Sequence, residues 1–239
     1  MTRGSALAFR SKGREAVVAA GPVAVLDLGS TKITCLIAEP AERFVQGQDY
    51  RTALRVSGVG TTASRGIKGG AISNVEEAER AIRLAVDAAE RMAKQAVRSV
   101  HVNVSGGRPA SLTVSGNVKT QTGVVSPRDV EHALSAAIAT ADIGKRQVLH
   151  LNPVGYSLDG VAADRPPLGM HGEVLGIEVG IVTLGAAHLR NLSLAVERAH
   201  LKVASFALSA YAAGRGTLFD DELSLGTLVI DFGGGTTSY

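Results

Sequence analysis

Apolar residues in the first third of the chain change from a strand-like to a helix-like spacing. Apolar runs at 23–26 and 33–38 are separated by a Gly-Ser turn, which predicts two strands joined as a hairpin. A third strand is predicted within 51–64. After a glycine-rich connection, apolar residues recur every three or four positions over 75–95, which predicts an amphipathic helix capped by Asn74.

The middle of the chain has a different pattern. Polar and apolar residues alternate in two runs between 99 and 121, as is typical of half-exposed antiparallel strands. Ser126 followed by Pro127 predicts the beginning of a second helix. Further strand-like runs lead up to Gly185. We therefore predict a small α+β unit over residues 99–185, inserted into the first domain.

The last fifty or so residues return to longer helical and strand patterns. A helix is predicted over 187–200 and a strand over 201–208. A short helix is expected over 209–218, followed by a final apolar strand at 226–231. This final strand leads directly into a run of three glycines.

Composition narrows the class of protein. Hydrophobic residues make up 45% and charged residues 20% of the 239 residues, which is an ordinary soluble α/β balance. The formal net charge is +3 without a basic stripe, so we expect no nucleic-acid partner, and we interpret residues 1–21 as a disordered basic tail. The single cysteine, Cys35, excludes an intramolecular disulfide and suits a reducing cytoplasm, and we expect it to be buried in a strand. No apolar run approaches the roughly 18 residues of a membrane span, so we predict a chain that does not itself cross a membrane.

Two glycine-containing turns that follow apolar strands carry the candidate chemistry. The stretches VAVLDLGSTKI and GTLVIDFGGGTTS each run into Asp-x-Gly and then into hydroxyl residues. Glycines let backbone N–H groups approach phosphate oxygens, and an Asp at a strand end can hold a cation or its waters. One such turn alone also occurs in ordinary hairpins, but two of them about 200 residues apart favour a phosphate site. The candidate phosphate-binding residues are Asp27, Gly29, Ser30, Thr31, Lys32, Asp231, Gly233, Gly234, Gly235, Thr236 and Thr237, and the candidate Mg²⁺-holding residues among them are Asp27 and Asp231.

This pair of hairpins resembles the phosphate clamp of the actin/Hsp70/sugar-kinase superfamily. The stretches LDLGSTKITCLIAE, SRGIKGGAISN and PLGMHG resemble the FtsA family of bacterial cell-division proteins in particular. The resemblance implies an α/β fold, with an actin-like (ribonuclease H-like) ATPase domain and an inserted α+β subdomain. It assigns 22–98 and 186–223 to the first actin-like subdomain (1A) and 99–185 to the inserted SHS2-type subdomain (1C). Residues 224–239 would begin the second actin-like subdomain (2A), which is truncated here.

The resemblance also implies a function. FtsA-type proteins bind ATP with Mg²⁺, form filaments, bind FtsZ and tether the Z ring to the cytoplasmic face of the inner membrane. We expect later division proteins to be recruited through residues 99–185, and membrane binding to use a C-terminal amphipathic helix that this chain does not contain. We expect no dedicated catalytic residue and at most slow ATP hydrolysis. Because the rest of the second domain would hold the adenine, we expect ATP affinity in the millimolar range at best.

Two alternatives come from the same superfamily. The first is a sugar-kinase-type phosphotransferase, which needs a carboxylate general base ahead of the second hairpin. Residues 205–219 contain no Asp or Glu, and the first carboxylate after them is Asp220. This absence counts against the kinase. The second is an Hsp70-like ATPase, which would need a peptide-binding domain downstream.

Overall fold

The computed structural model describes residues 21–40 and 54–239, apart from the side chains at 220, 223 and 224. The predicted basic tail lies outside the described residues except for Gly21. The described chain divides into two units. The first unit contains 21–40, 54–110, Lys145–Leu149 and Thr183–Tyr239, and the second contains Ser111–Gly144 and His150–Val182.

The helices and strands follow one another in a mixed α/β order. In chain order they are β1 (Val23–Leu28), β2 (Lys32–Pro40), β3 (Leu54–Ala63), β4 (Ile67–Lys68), β5 (Ala71–Ile72), α1 (Val75–Ala93), β6 (Ser99–Val104), β7 (Ala110–Lys119), α2 (Pro127–Ala139), β8 (Arg146–Leu158), β9 (Val161–Ala163), β10 (Val174–Gly185), α3 (Ala186–Arg198), β11 (Lys202–Leu208), α4 (Ser209–Thr217), α5 (Asp220–Leu225), β12 (Asp231–Phe232) and β13 (Thr237–Ser238). None of the helices within the described ranges is both long and apolar enough to cross a membrane.

A five-stranded sheet with the order β11-β6-β1-β2-β3 forms the centre of the first unit. β1, β2 and β3 are joined as antiparallel neighbours, which confirms the hairpin and the third strand predicted from the apolar runs. β6 and β11 instead run parallel to β1. Three antiparallel strands therefore continue into a parallel pair, so the carboxyl ends of β1, β6 and β11 lie at the same edge of the sheet.

The core of the first unit lies between one face of this sheet and helices α1 and α3. Alternate residues such as Leu26, Cys35 and Val102 are buried on that face because successive side chains of a strand point to opposite sides. Burial raises the pKa of the Cys35 thiol to about 11, as expected for a small core residue rather than a reactive one. Glycine at 58 and 60 lets α1 pack directly on β3, since a Cβ at either position would overlap a carbonyl oxygen of the helix.

Helix α1 is close to its predicted extent. The Oδ1 atom of Asn74 accepts hydrogen bonds from the backbone N–H groups of Glu76 and Glu77, at 3.0 and 3.1 Å, as the sequence predicted. The helix ends at Ala93, slightly earlier than expected, because Lys94 adopts a left-handed conformation with a φ of 54°.

The position of β6 corrects one predicted boundary. The sequence predicts residues 99–104 at the beginning of the inserted unit, but they pair with β1 and β11 in the sheet of the first unit. The alternating pattern predicts the strand itself correctly, but the predicted place of this strand in the fold is wrong. The alternation of polar and apolar residues shows which face of a strand is exposed, but it does not show which distant strand pairs with it.

The predicted final strand at 226–231 is also corrected. Only Asp231–Phe232 is a strand, and it pairs with Thr237–Ser238 in a two-stranded hairpin. Residues 226–230 belong to no sheet of the described chain. An apolar run forms a strand only where another strand satisfies its backbone groups, and none does so here.

The second unit contains helix α2 and most of a four-stranded sheet with the order β7-β10-β8-β9. Helix α2 confirms the predicted helix, because Ser126 and Asp129 form a reciprocal capping box and Pro127 occupies the first turn. Gly116 of β7 allows close packing, since a Cβ there would overlap the backbone of Ala137 in α2. The inserted α+β unit predicted from the alternating pattern is therefore present as a helix packed on a sheet.

Candidate functional site

The first candidate phosphate turn connects β1 to β2. Asp27 lies on the sheet face opposite to the buried Leu26 and Leu28, so its side chain is only partly covered. Gly29 makes the turn tight, since a Cβ at this position would lie 2.7 Å from the backbone oxygen of Lys32. The backbone N–H of Gly70 donates a hydrogen bond to Ser30 Oγ at 3.0 Å. The turn is therefore held from its side by the short β4–β5 hairpin.

The second candidate turn is the loop between β12 and β13. Asp231 pairs with Ser238 and Phe232 pairs with Thr237. The backbone N–H of Gly233 donates to the backbone oxygen of Thr236 at 2.8 Å, which closes the loop. Gly234 and Gly235 at its tip are exposed, so their N–H groups can reach a ligand.

The two turns lie face to face. A Cβ added at Gly234 would overlap Thr31 Oγ1, and a Cβ added at Gly235 would lie 2.6 Å from Ser30 Oγ. The same Cβ on Gly235 would lie 3.4 Å from Gly69 Cα in the β4–β5 hairpin. The absence of a Cβ at both positions therefore lets the triple-glycine loop lie directly on the hydroxyl residues of the first turn.

The two turns enclose a cleft of about 430 Å³ within the first unit. It is lined by every candidate residue from the sequence except Thr237, which pairs with Phe232 in the hairpin and is not part of the lining. The lining residues are Asp27, Gly29, Ser30, Thr31, Lys32, Asn103, Ser105, Ser209, Ala212, Ala213, Asp231, Phe232, Gly233, Gly234, Gly235 and Thr236.

The electrostatics of the cleft centre on two carboxylates. The pKa of Asp27 is raised, mainly by burial and further by the negative charge of Asp231. A hydrogen bond from Asn103 Nδ2, at 2.9 Å, and the charge of Lys32 oppose this shift. Two carboxylates on one cleft suit a hard divalent cation such as Mg²⁺, which prefers oxygen ligands and keeps several waters. Among the described residues, no group of three or more His, Cys, Asp or Glu side chains is placed to hold a metal ion.

Sequence reasoning missed part of the lining, most notably Asn103 and Ser209. Asn103 lies in β6 directly beside Asp27 in the parallel register, and Ser209 follows the end of β11. Asn103 Oδ1 and Ser209 Oγ are both buried and have no hydrogen-bond partner within the protein. The signal that could have found Asn103 was the strand order, because the carboxyl ends of adjacent parallel strands meet at one edge.

Comparison with known proteins identifies relatives of this chain. Residues 106–183 match the family model of the SHS2 domain inserted in FtsA. The cell division protein FtsA of Agrobacterium fabrum is 42% identical over 220 residues, which cover 90% of this chain and 49% of the relative. The resemblance to the FtsA family is confirmed. FtsA of Pseudomonas aeruginosa is 35% identical over 212 residues, covering 89% of this chain and 49% of its own length.

The chain thus spans about half the length of the FtsA relatives that it matches. The predicted fold class, an actin-like α/β domain with an inserted α+β subdomain, is confirmed by the family match and the mixed α/β architecture. Among solved structures, the PilM-PilN type IV pilus biogenesis complex aligns with 81% of this chain and 49% of its own. That alignment has 11% identity and a TM-score of 0.49.

Proposed function

We propose that this chain binds ATP together with Mg²⁺ and acts in cell division as part of an FtsA-type scaffold. The observation that carries the proposal is the contact between the two glycine turns, in which Gly234 and Gly235 lie against Thr31 and Ser30. Turns of this composition that face each other across a cleft offer many convergent N–H and O–H donors. Such a concave set of donors fits a chain of phosphates better than it fits any other common metabolite group.

Each lining residue has a proposed role. The backbone N–H groups of Gly233–Gly235 and the hydroxyls of Ser30, Thr31 and Thr236 would donate hydrogen bonds to the β- and γ-phosphates. Lys32 would add a positive charge. Asp27 and Asp231 would hold Mg²⁺ through its waters, and the cation would neutralise phosphate charge at the cleft. We assign no phosphate contact to Thr237, because it does not line the cleft.

The cleft favours a nucleotide-dependent scaffold over a phosphotransferase. The carboxylates that line it within the described residues are Asp27 and Asp231. If both hold the cation, neither is available as the general base that a kinase needs to deprotonate a sugar hydroxyl. We therefore propose that ATP acts chiefly as a conformational ligand with at most slow hydrolysis.

The proposed partners follow from the family. We propose that the protein binds FtsZ and further copies of itself. Later division proteins would bind through the inserted subdomain, whose residues 106–183 match the SHS2 model. The proposed location is the cytoplasmic face of the inner membrane at the division site. Membrane attachment would use a C-terminal amphipathic helix of the FtsA type.

Affinity for ATP should be low in this chain. Gly233, Gly234 and Gly235 are exposed, so ordering their loop costs entropy and salt screens their interaction with phosphate. We expect a Kd for Mg·ATP in the millimolar range, about −4 kcal/mol. Titration of the ¹⁵N-labelled chain with Mg·ATP should shift the amide signals of Gly29, Ser30 and Gly234. AMP, which lacks the β- and γ-phosphates, is the control and should not shift them. Equal shifts with AMP, or none with ATP, would reject the phosphate clamp.

A further inference from the structure

The side chain of Asn103 joins two adjacent parallel strands at the edge of the cleft. Asn103 and Asp27 are direct partners in the β1–β6 register, although they lie 76 residues apart in sequence. Asn103 Nδ2 donates a hydrogen bond to Asp27 Oδ1 at 2.9 Å. This bond restricts the rotation of the carboxylate and engages one of its two oxygens.

The other end of the same amide group has no partner. Asn103 Oδ1 is buried and accepts no hydrogen bond from the protein, and the same holds for Ser209 Oγ, which lines the cleft with it. Buried polar atoms without a partner are rare, because each one costs the free energy of its lost hydration. Two of them on one wall indicate that this wall is completed by water or by a ligand that carries water.

The chemistry of the amide decides what this ligand should be. An Asn side chain has a donor end and an acceptor end, and the donor end faces Asp27. The acceptor end can therefore receive an O–H group, whereas a phosphate oxygen, which is an acceptor, would be repelled. Water molecules bound to a divalent cation are strong O–H donors and carry the charge that the Asp27 carboxylate prefers.

We infer that Asn103 is a positioning residue of the proposed Mg·ATP site, orienting the Asp27 carboxylate with its Nδ2 atom and accepting a hydrogen bond from a cation-bound water with its Oδ1 atom. This inference rests on the proposed function. It adds to the two glycine turns a third component of the site, which comes from a strand that contains no phosphate-binding motif. Ser209 Oγ completes the same wall as a second contact for water.

The first experiment uses the unmodified chain labelled with ¹⁵N, with Mn²⁺ as a paramagnetic substitute for Mg²⁺. In the presence of ATP, Mn²⁺ should broaden the backbone signals of Gly29 and Ser30 and also the side-chain amide signals of Asn103. The side-chain amide of Asn191 in α3, which packs on the opposite face of the sheet, is the internal control and should stay sharp. Broadening of Gly29 and Ser30 without broadening of Asn103 would overturn the inference and leave the proposed function standing.

The second experiment compares variants. Asn103→Leu keeps the size of the side chain without its hydrogen bonds, and Asn103→Ala removes it. Both should need about tenfold more Mn²⁺ for the same broadening of Gly29, which corresponds to one lost hydrogen bond to a charged group. Their affinity for ATP in EDTA should be unchanged. His101→Ala is the matched control, because His101 lies two residues earlier on the same face of β6 and outside the cleft lining.

The remaining outcomes are also decisive. If the Asn103 variants lose ATP affinity equally with Mn²⁺ and in EDTA, the residue is only structural and the inference is wrong. If they respond to Mn²⁺ as the unmodified chain does, the inference is wrong as well. If Mn²⁺ and ATP leave Gly29 and Ser30 unaffected in the unmodified chain, the proposed function fails and the inference fails with it.

Discussion

The contact between the two glycine turns can be tested by adding one methyl group. In Gly234→Ala the new Cβ would overlap Thr31 Oγ1 and lie 3.1 Å from Thr31 Cβ. Gly234 does not adopt a positive φ, so alanine fits the backbone and the effect of the substitution is steric. The hairpin of β12 and β13 is exposed and pairs with no other strand of the described chain, so we expect it to move away rather than to strain the core.

The magnitude follows from the displacement. If Thr31 keeps its side-chain rotamer, restoring an ordinary contact of about 3.5 Å with its Oγ1 requires a separation of the turns by at least about 1 Å. A hydrogen bond to phosphate would lengthen from about 2.9 Å to about 3.9 Å and be lost. One charge-assisted hydrogen bond in an exposed site contributes about 1.5 kcal/mol, so the Kd for Mg·ATP should rise roughly tenfold. The melting temperature should change little, because the displaced loop is exposed.

A double-mutant cycle identifies the contact itself. Thr31→Ala removes the hydroxyl that the new methyl group meets, so the double variant should bind Mg·ATP no more weakly than Thr31→Ala alone. This gives a coupling of about 1.5 kcal/mol between the two positions. NMR titration measures all four affinities in the millimolar range. Gly216→Ala is the matched control, because a Cβ there meets no atom within 4 Å. Additive losses in the cycle would show that the turns do not face each other as described.

Three further predictions concern stability and the inserted subdomain. Burial, more than any other cause, raises the pKa of Asp27. The folded chain therefore binds the carboxyl proton of Asp27 more tightly than the unfolded chain does. The stability that this proton confers declines as the pH rises through the raised pKa. Asp27→Asn should therefore gain unfolding free energy relative to the unmodified chain between about pH 4 and pH 7 in urea denaturation, while its affinity for Mg·ATP falls; an unchanged difference across that range would contradict the assignment. Asn74→Ala removes the cap of α1 and should lower the unfolding free energy by about 1 kcal/mol, with Asn191→Ala as the control that should change it less. Replacing residues 111–182 by a short Gly-Ser bridge removes the second unit together with Lys145–Leu149 of the first and should preserve the ATP-induced shifts. A deletion from residue 99 also removes β6 and should abolish cooperative unfolding as followed by circular dichroism.

The parts of the fold that could be predicted are those with local signals. The β1–β2 hairpin is evident because two apolar runs are separated by a tight Gly-Ser turn, and α1 is evident because a cap precedes a regular apolar stripe. Helix α2 has the same kind of signal in Ser126 and Pro127. In each case the residues that determine the element lie within or next to it, so no knowledge of distant partners is needed.

Sheet membership could not be predicted in the same way. β6 has an alternating pattern that suits an antiparallel strand with one exposed face and equally suits a parallel neighbour of β1. Residues 226–230 have a continuous apolar run but no strand beside them in the described chain. Pairing between strands far apart in sequence depends on the whole arrangement of the sheet, and short patterns contain little of that information.

The candidate site also has a part that could be predicted from local sequence and a part that could not. Its two glycine turns were found because phosphate chemistry needs small residues in consecutive positions, and consecutive residues are visible in a sequence. Asn103 was not found because its importance comes only from lying beside Asp27, and that neighbour is created by parallel pairing. Once β6 is placed next to β1, the polar residue in register with a strand-end aspartate becomes the first candidate to examine. In a sheet of this kind, the strand order is therefore as informative about the site as the phosphate motifs themselves.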